Sequence, residues 1–158
     1  MHSSNHRRVI EDLCGLIGFK DHDILLKGGK LRIDDYLVSF IYNPHYDPAN
    51  LLVYVDMGAP SGDREHAYET VLKINFELGI GNRGIISLHP KTQRLFYSFG
   101  YALDDTASGR ALLDTLIRFV GDVALEAIDL SPNQRAAKDV ARIPSRTVTT
   151  PRALPGRN

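Results

Sequence analysis

The period of the apolar residues changes repeatedly along this chain of 158 residues, and each change limits what the segment can become. Val9, Ile10, Leu13, Cys14, Leu16 and Ile17 recur at spacings of three and four, with Glu11 and Asp12 between them. That spacing predicts a short amphipathic helix ending near Gly18, with Ser3 or Ser4 as its cap. After Asp23 the period falls to two. Ile24–Leu26 and Leu31–Ile33 read as short strands about the Gly28-Gly29 turn, with Asp34-Asp35 as a second turn. Tyr36–Tyr42 alternates as a strand rich in aromatic and β-branched residues. Asn43-Pro44-His45-Tyr46-Asp47-Pro48 has loop composition. Leu51–Met57 follows as a strand with Leu51, Val53, Val55 and Met57 on one face, so the stretch is an antiparallel meander.

A helix over 64–78, capped by Ser61 or Asp63, comes next. Ala67, Val71, Ile74 and Leu78 form one apolar stripe, and Tyr68, Leu72 and Phe76 an adjacent one. So wide an arc exceeds what one sheet face covers, and a second subunit is the simplest partner for it. Strands over 85–89 and 95–101 flank a turn at Pro90–Gln93, with Leu95, Tyr97, Phe99 and Tyr101 sharing a face. Asp104, Asp105 or Thr106 then caps a long helix to about Ile128. The order is α-β-β-β-α-β-β-α, which predicts an α+β fold in which helices pack an antiparallel sheet.

The formal net charge of zero conceals two regions of opposite sign. Residues 1–130 hold 13 Lys+Arg against 18 Asp+Glu, a net −5, whereas 131–158 hold 6 against 1, a net +5. The second region also carries Pro132, Pro144, Pro151 and Pro155 and few large apolar residues, too little to offset the entropy of ordering it. The expected organisation is an acidic folded body over 1–130 and a basic, mostly disordered tail over 131–158. No apolar run approaches a membrane span, and the N-terminus lacks a signal core, so a cytoplasmic location is expected. One cysteine, Cys14, excludes an internal disulfide framework.

No catalytic constellation emerges. Gly79, Gly81 and Gly84 match G-x-G-x-x-G, but they follow a helix and open a strand, the reverse of a dinucleotide site, and read as a helix C-cap. Asp21-His22-Asp23 and His45-Tyr46-Asp47 offer metal-capable atoms without a ligand spacing, and solvated turns are the simpler reading. Cys14 sits on the apolar side of its helix, as a buried thiol does. Ser87, Ser98 and Ser108 lack a nucleophile-elbow context. The tail is basic but has no aromatic residues to stack on bases, and the acidic body repels phosphate. Neither a cofactor, a metal nor a nucleic-acid partner is expected. What remains is apolar surface on the first helix and the strand aromatics, beyond the share that core packing uses.

Over roughly residues 6–128 the chain resembles the class I type III secretion chaperones of the Tir chaperone (CesT-like) family. The resemblance rests on VIEDLCGLIGF, on the meander ending LLVYVDMGAP, and on ETVLKINFELGIGNRGIISLHPKTQRLFYSFGYALDD before a closing helix. It implies a non-enzymatic homodimer that holds the N-terminal segment of a secreted effector in extended form in the bacterial cytoplasm and delivers it to the secretion ATPase. It maps the dimer interface onto Val71, Leu72, Asn75, Leu78 and Ile86. Effector contacts fall on Val9, Leu13, Ile17, Val38 and Phe40. The basic Pro/Arg tail and the modest acidity of the body depart from the family pattern. Two other readings stand beside it: an interaction or regulatory module of the same fold without a secretion role, and an enzyme or ligand-binding domain using the His/Asp loops.

Overall fold

The computed structural model describes residues 2–33, 36–81, 83–120, 128, 130–131 and 142–143. Helix α1 spans His2–Ile17, a short α2 His22–Leu26, α3 Arg64–Ile80 and α4 Gly109–Val120. Strands β1 (Lys30–Ile33), β2 (Tyr36–Ile41), β3 (Asn50–Pro60), β4 (Ile85–Leu88) and β5 (Leu95–Ala102) form an antiparallel sheet in the order β4-β5-β3-β2-β1. Two-residue strands extend it: β6 (Leu130–Ser131) pairs with the end of β3, and β7 (Arg142–Ile143) runs parallel to β1. The α+β class and the helix–meander–helix–hairpin–helix order follow the sequence reading, with one helix more.

Strand parity decides which face is buried. Leu51, Val53, Val55 and Met57 of β3 stand beside Val38 and Phe40 of β2, Leu31 and Ile33 of β1, Leu95 and Tyr97 of β5 and Ile86 of β4. All are buried in one core cluster with Val9, Ile10 and Leu13 of α1, Ala67, Val71 and Leu78 of α3, and Leu112, Leu113 and Leu116 of α4. Period-two strands thus supply one wall of the core and 3.6-period helices the other.

Two long-range contacts hold distant parts of the chain together. Where α1 meets α4, the backbone N–H of Gly109 donates to Asp12 Oδ2 at 2.7 Å. The helices approach so closely there that a β-carbon at Gly109 would run into the Leu13 backbone and stand 2.6 Å from the Asp12 carbonyl carbon. On β3, Asp56 accepts from Arg94 Nε at 3.0 and 3.1 Å and from Arg94 Nη2 at 2.8 Å, and its Oδ1 also takes the Gly58 N–H. That carboxylate sits at the register shift between Asp56 and Gly58, where the ladder to β5 is interrupted.

The structure corrects several local expectations. Residues 24–26 form part of α2 rather than a strand: a three-residue apolar run has no period of its own, and here Leu25 turns fully into the core. Gly28, at φ +83°, and the Gly29 N–H bond to the Ile24 carbonyl at 2.8 Å end that helix. Ser3 and Ser4 lie inside α1 instead of capping it. Helix α3 is capped by Asp63, whose side chain accepts from the Glu65 and His66 N–H groups. Helix α4 is capped by Ser108, whose Oγ takes the Ala111 N–H, not by Asp104, Asp105 or Thr106; Asp104 spends its side chain on Thr106. Ile128 is buried but not helical, so α4 ends before it, and 121–127 lie outside the described residues. The Asp34-Asp35 turn and most of the tail lie outside them too. Within the tail, Arg142 pairs with Arg32 and Ile143 with Ile33 of β1.

Candidate docking surfaces

Helix α3 carries two apolar stripes, and the structure separates them. Ala67, Val71 and Leu78 are buried and Ile74 is half-buried against the core. Leu72, Phe76 and Ile80, spaced by four, are 69%, 75% and 78% exposed. A side chain of this kind contributes about 1.5–3 kcal/mol when buried, so three in a row facing water represent a large unused driving force. Position four apart places them on one face of the helix, one turn above another.

Of the residues expected at a dimer interface, Leu72 is on that face. Val71, Leu78 and Ile86 are buried within the chain. Asn75 is half-buried, and both ends of its amide are used internally: Nδ2 donates to the Ile86 carbonyl at 2.8 Å, and Oδ1 accepts the Ile86 N–H at 2.7 Å. The side chain imitates a neighbouring strand and ties α3 to β4, an edge strand among the described residues. Phe76 and Ile80 belong with Leu72, and the second stripe of the helical period already contained Phe76.

The residues expected to hold a partner segment are placed differently. Val9, Leu13, Val38 and Phe40 are core residues, with at most 1% exposure, and only Ile17 is half-buried. Packed this way, those four offer no surface for a partner. On the opposite parity Leu37 and Asp56 are buried as well, but other positions face outward. Ile41 of β2, Leu52 of β3 and Ile85 of β4 are exposed, and Tyr54 and Phe96 half-buried. In register, Ile41 stands beside Leu52, and Tyr54 beside Ser98, which in turn stands beside Ile85. The alternation of β2 and β3 held this information, since one strand face buried implies the other face outward.

The titratable and nucleophilic groups do not converge. Among the described residues no three His, Cys, Asp or Glu side chains are placed to hold a metal. His22 Nε2 lies 3.6 Å from Glu11 Oε1 and 3.9 Å from Asp23 Oδ1, while Asp47 caps its own loop through the Ala49 N–H. Burial, reinforced by Glu11, pushes the Cys14 thiol up to about 11, which keeps it protonated and poorly nucleophilic at neutral pH. Among the described residues, no helix is long and apolar enough to cross a membrane.

His6 is the exception among the polar groups of α1. It is buried, its ring stacks on Tyr42 at 4.5 Å between centroids, and Nε2 has no hydrogen-bond partner among the described residues. Burial, and secondarily the neighbouring Arg7 charge, holds its pKa below the ordinary 6.5. The unfolded chain then takes up a proton near that value that the native chain refuses. Stability is whole above 6.5 and declines as the pH falls from there towards the native pKa. A Tm that drops between pH 7 and 5, with the drop reduced in His6→Phe, is the expected result; equal drops in both chains would remove His6 from the account.

No protein-family model matches the chain, and no curated protein matches it.

Proposed function

We propose that this protein is a chaperone of the type III secretion class I kind: a homodimer that binds the N-terminal segment of a secreted effector in extended form and keeps it soluble and secretion-competent in the bacterial cytoplasm. The observation that carries the reading is the exposed Leu72–Phe76–Ile80 stripe on α3, beside the edge strand β4. A second copy of the same helix would bury six such side chains across a two-fold axis, as a self-complementary interface requires. The α+β framework and the outward apolar residues Ile41, Leu52, Tyr54 and Phe96 support a role in holding an extended segment without chemistry. The net −5 of residues 1–130 favours solubility of the loaded complex. Delivery to the secretion ATPase follows from the same reading.

Light scattering on the full chain is expected to give twice the 17.6 kDa of one protomer. Leu72→Glu and Phe76→Glu are each expected to return the mass to a single protomer while far-UV circular dichroism is unchanged, because both side chains lie outside the core. An unaltered mass in both variants would overturn the dimer. Co-expression with effector N-termini separates the chaperone from an interaction module of the same fold: retention of one is expected, and retention of none, beside a stable complex with a non-secreted protein, favours the module.

A further inference from the structure

We infer that the cavity at the free end of β5 is a docking site for an acidic, extended peptide segment bearing a large apolar side chain. The inference rests on the reading that this chain holds an extended partner, and adds where such a segment sits and what chemistry it carries. Strand β4 pairs with β5 only between Ile85–Leu88 and Leu95–Ser98. From Phe99 to Ala102 the β3 ladder continues on one side, while among the described residues no strand pairs on the other. A cavity of about 290 Å³ opens beside this half-free stretch. Its walls are Tyr97, Phe99 and Tyr101 of β5, Leu78 of α3 and Phe119 of α4, with Arg83 and Arg118 also in the lining.

The walls are fixed in advance. Tyr97 stacks on Phe119 with 3.8 Å between ring centroids and donates its hydroxyl to the Arg83 carbonyl. Tyr101 donates to the Ser108 carbonyl at 3.0 Å and accepts the Ser108 N–H at 3.1 Å. An apolar side chain entering this space meets rings already held in place, which reduces the ordering cost of binding.

Charge selects the rest of the ligand. Among the described residues no carboxylate lines the cavity, although residues 1–130 are net acidic. Arg83 Nη2 donates to the Glu77 carbonyl at the end of α3, and Arg118 stands in the last described turn of α4. Helix C-termini favour cations in any case, so the guanidiniums alone do not define a ligand. Beside a strand edge that offers backbone pairing and a cavity walled by aromatic rings, they do: an extended segment pairs with 99–102, places an apolar side chain in the cavity and sets a carboxylate against the arginines.

The test is fluorescence anisotropy on the full chain with a labelled peptide of about ten residues, serine and threonine apart from one phenylalanine flanked by two glutamates. Saturable binding below about 1 mM is expected, weakened about tenfold or more by Arg118→Glu in the protein and by methylating alternate peptide nitrogens. Exchanging the phenylalanine for alanine, or the glutamates for lysines, is expected to weaken it as much. No binding, binding indifferent to Arg118→Glu, equal binding of the lysine peptide, or equal binding of the methylated peptide would each overturn the proposal. Binding of 3-phenylpropionate as tight as that of the peptide would also overturn it, and would identify a small-carboxylate site. Light scattering on the same sample reads the α3 pairing separately, so loss of peptide binding with the dimer intact rejects the cavity and leaves the chaperone reading in place.

Discussion

Gly109→Ala is expected to lower the thermal midpoint by roughly 12 °C, taking about 2–4 °C per kcal/mol for a chain of this size and a loss of about 4 kcal/mol. The added methyl group meets the backbone of α1 at Asp12 and Leu13, not a side chain that can turn away. The two helices must therefore separate, which loosens contacts of Leu13 and Leu112, both fully buried, and stretches the bond from the Gly109 N–H to Asp12. Asp12→Ala is the control, since it removes the acceptor but leaves the approach intact, and its expected cost is about 1 kcal/mol. Thermal unfolding followed by circular dichroism checks both. Equal effects of the two substitutions would mean that the hydrogen bond, not the close approach, sets the cost.

Arg94→Ala is expected to cost about 3 kcal/mol, or roughly 10 °C. Asp56 is buried, and losing Arg94 leaves its charge with the Gly58 N–H but without the guanidinium that answers it. Arg94 is itself partly exposed, so the figure lies at the low end for a buried pair. Removing the charge as well is expected to restore part of the loss: Asp56→Asn in the Arg94→Ala background keeps an acceptor for Gly58 and leaves no buried anion. Chemical denaturation of both single variants and the double variant measures the coupling. Additive losses would show that the pair contributes packing rather than charge compensation.

Period was the legible part of this sequence. Alternation in 51–57 placed Leu51, Val53, Val55 and Met57 on one face, and all four are buried. Of the two stripes of α3, Ala67, Val71 and Leu78 are buried and Leu72 and Phe76 face water, while Tyr68 of the second stripe is half-buried against the core. What could not be read depends on partners far away in the chain. The Asp12–Gly109 contact joins positions 97 apart and the Asp56–Arg94 pair positions 38 apart, and no local pattern announces either. Helix α2 is illegible for a different reason: five residues are too few to display a period, and the burial of Leu25 decides their form. For the site, the family resemblance points to Val9, Leu13, Val38 and Phe40; strand parity alone separates Val38 and Phe40 from the outward Ile41 and Leu52, whereas Val9 and Leu13 are buried on helix α1. An exposed aromatic such as Phe76 is visible only as an arc wider than one face until the packing is known.

The long strand β3 has a consequence for how the chain is made. Its first partner, β2, precedes it, and its second, β5, ends at Ala102, 42 residues after Pro60 (102 − 60). At about 5–20 residues per second, a ribosome needs roughly 2–8 s to supply that interval. During it, one edge of the longest strand carries open backbone donors and acceptors, with Val53 and Val55 beside them. The β3–β5 ladder, with its higher loop-closure cost, therefore has to wait until α3 and β4 have been synthesised, whereas β1 and β2 already precede β3 in the chain.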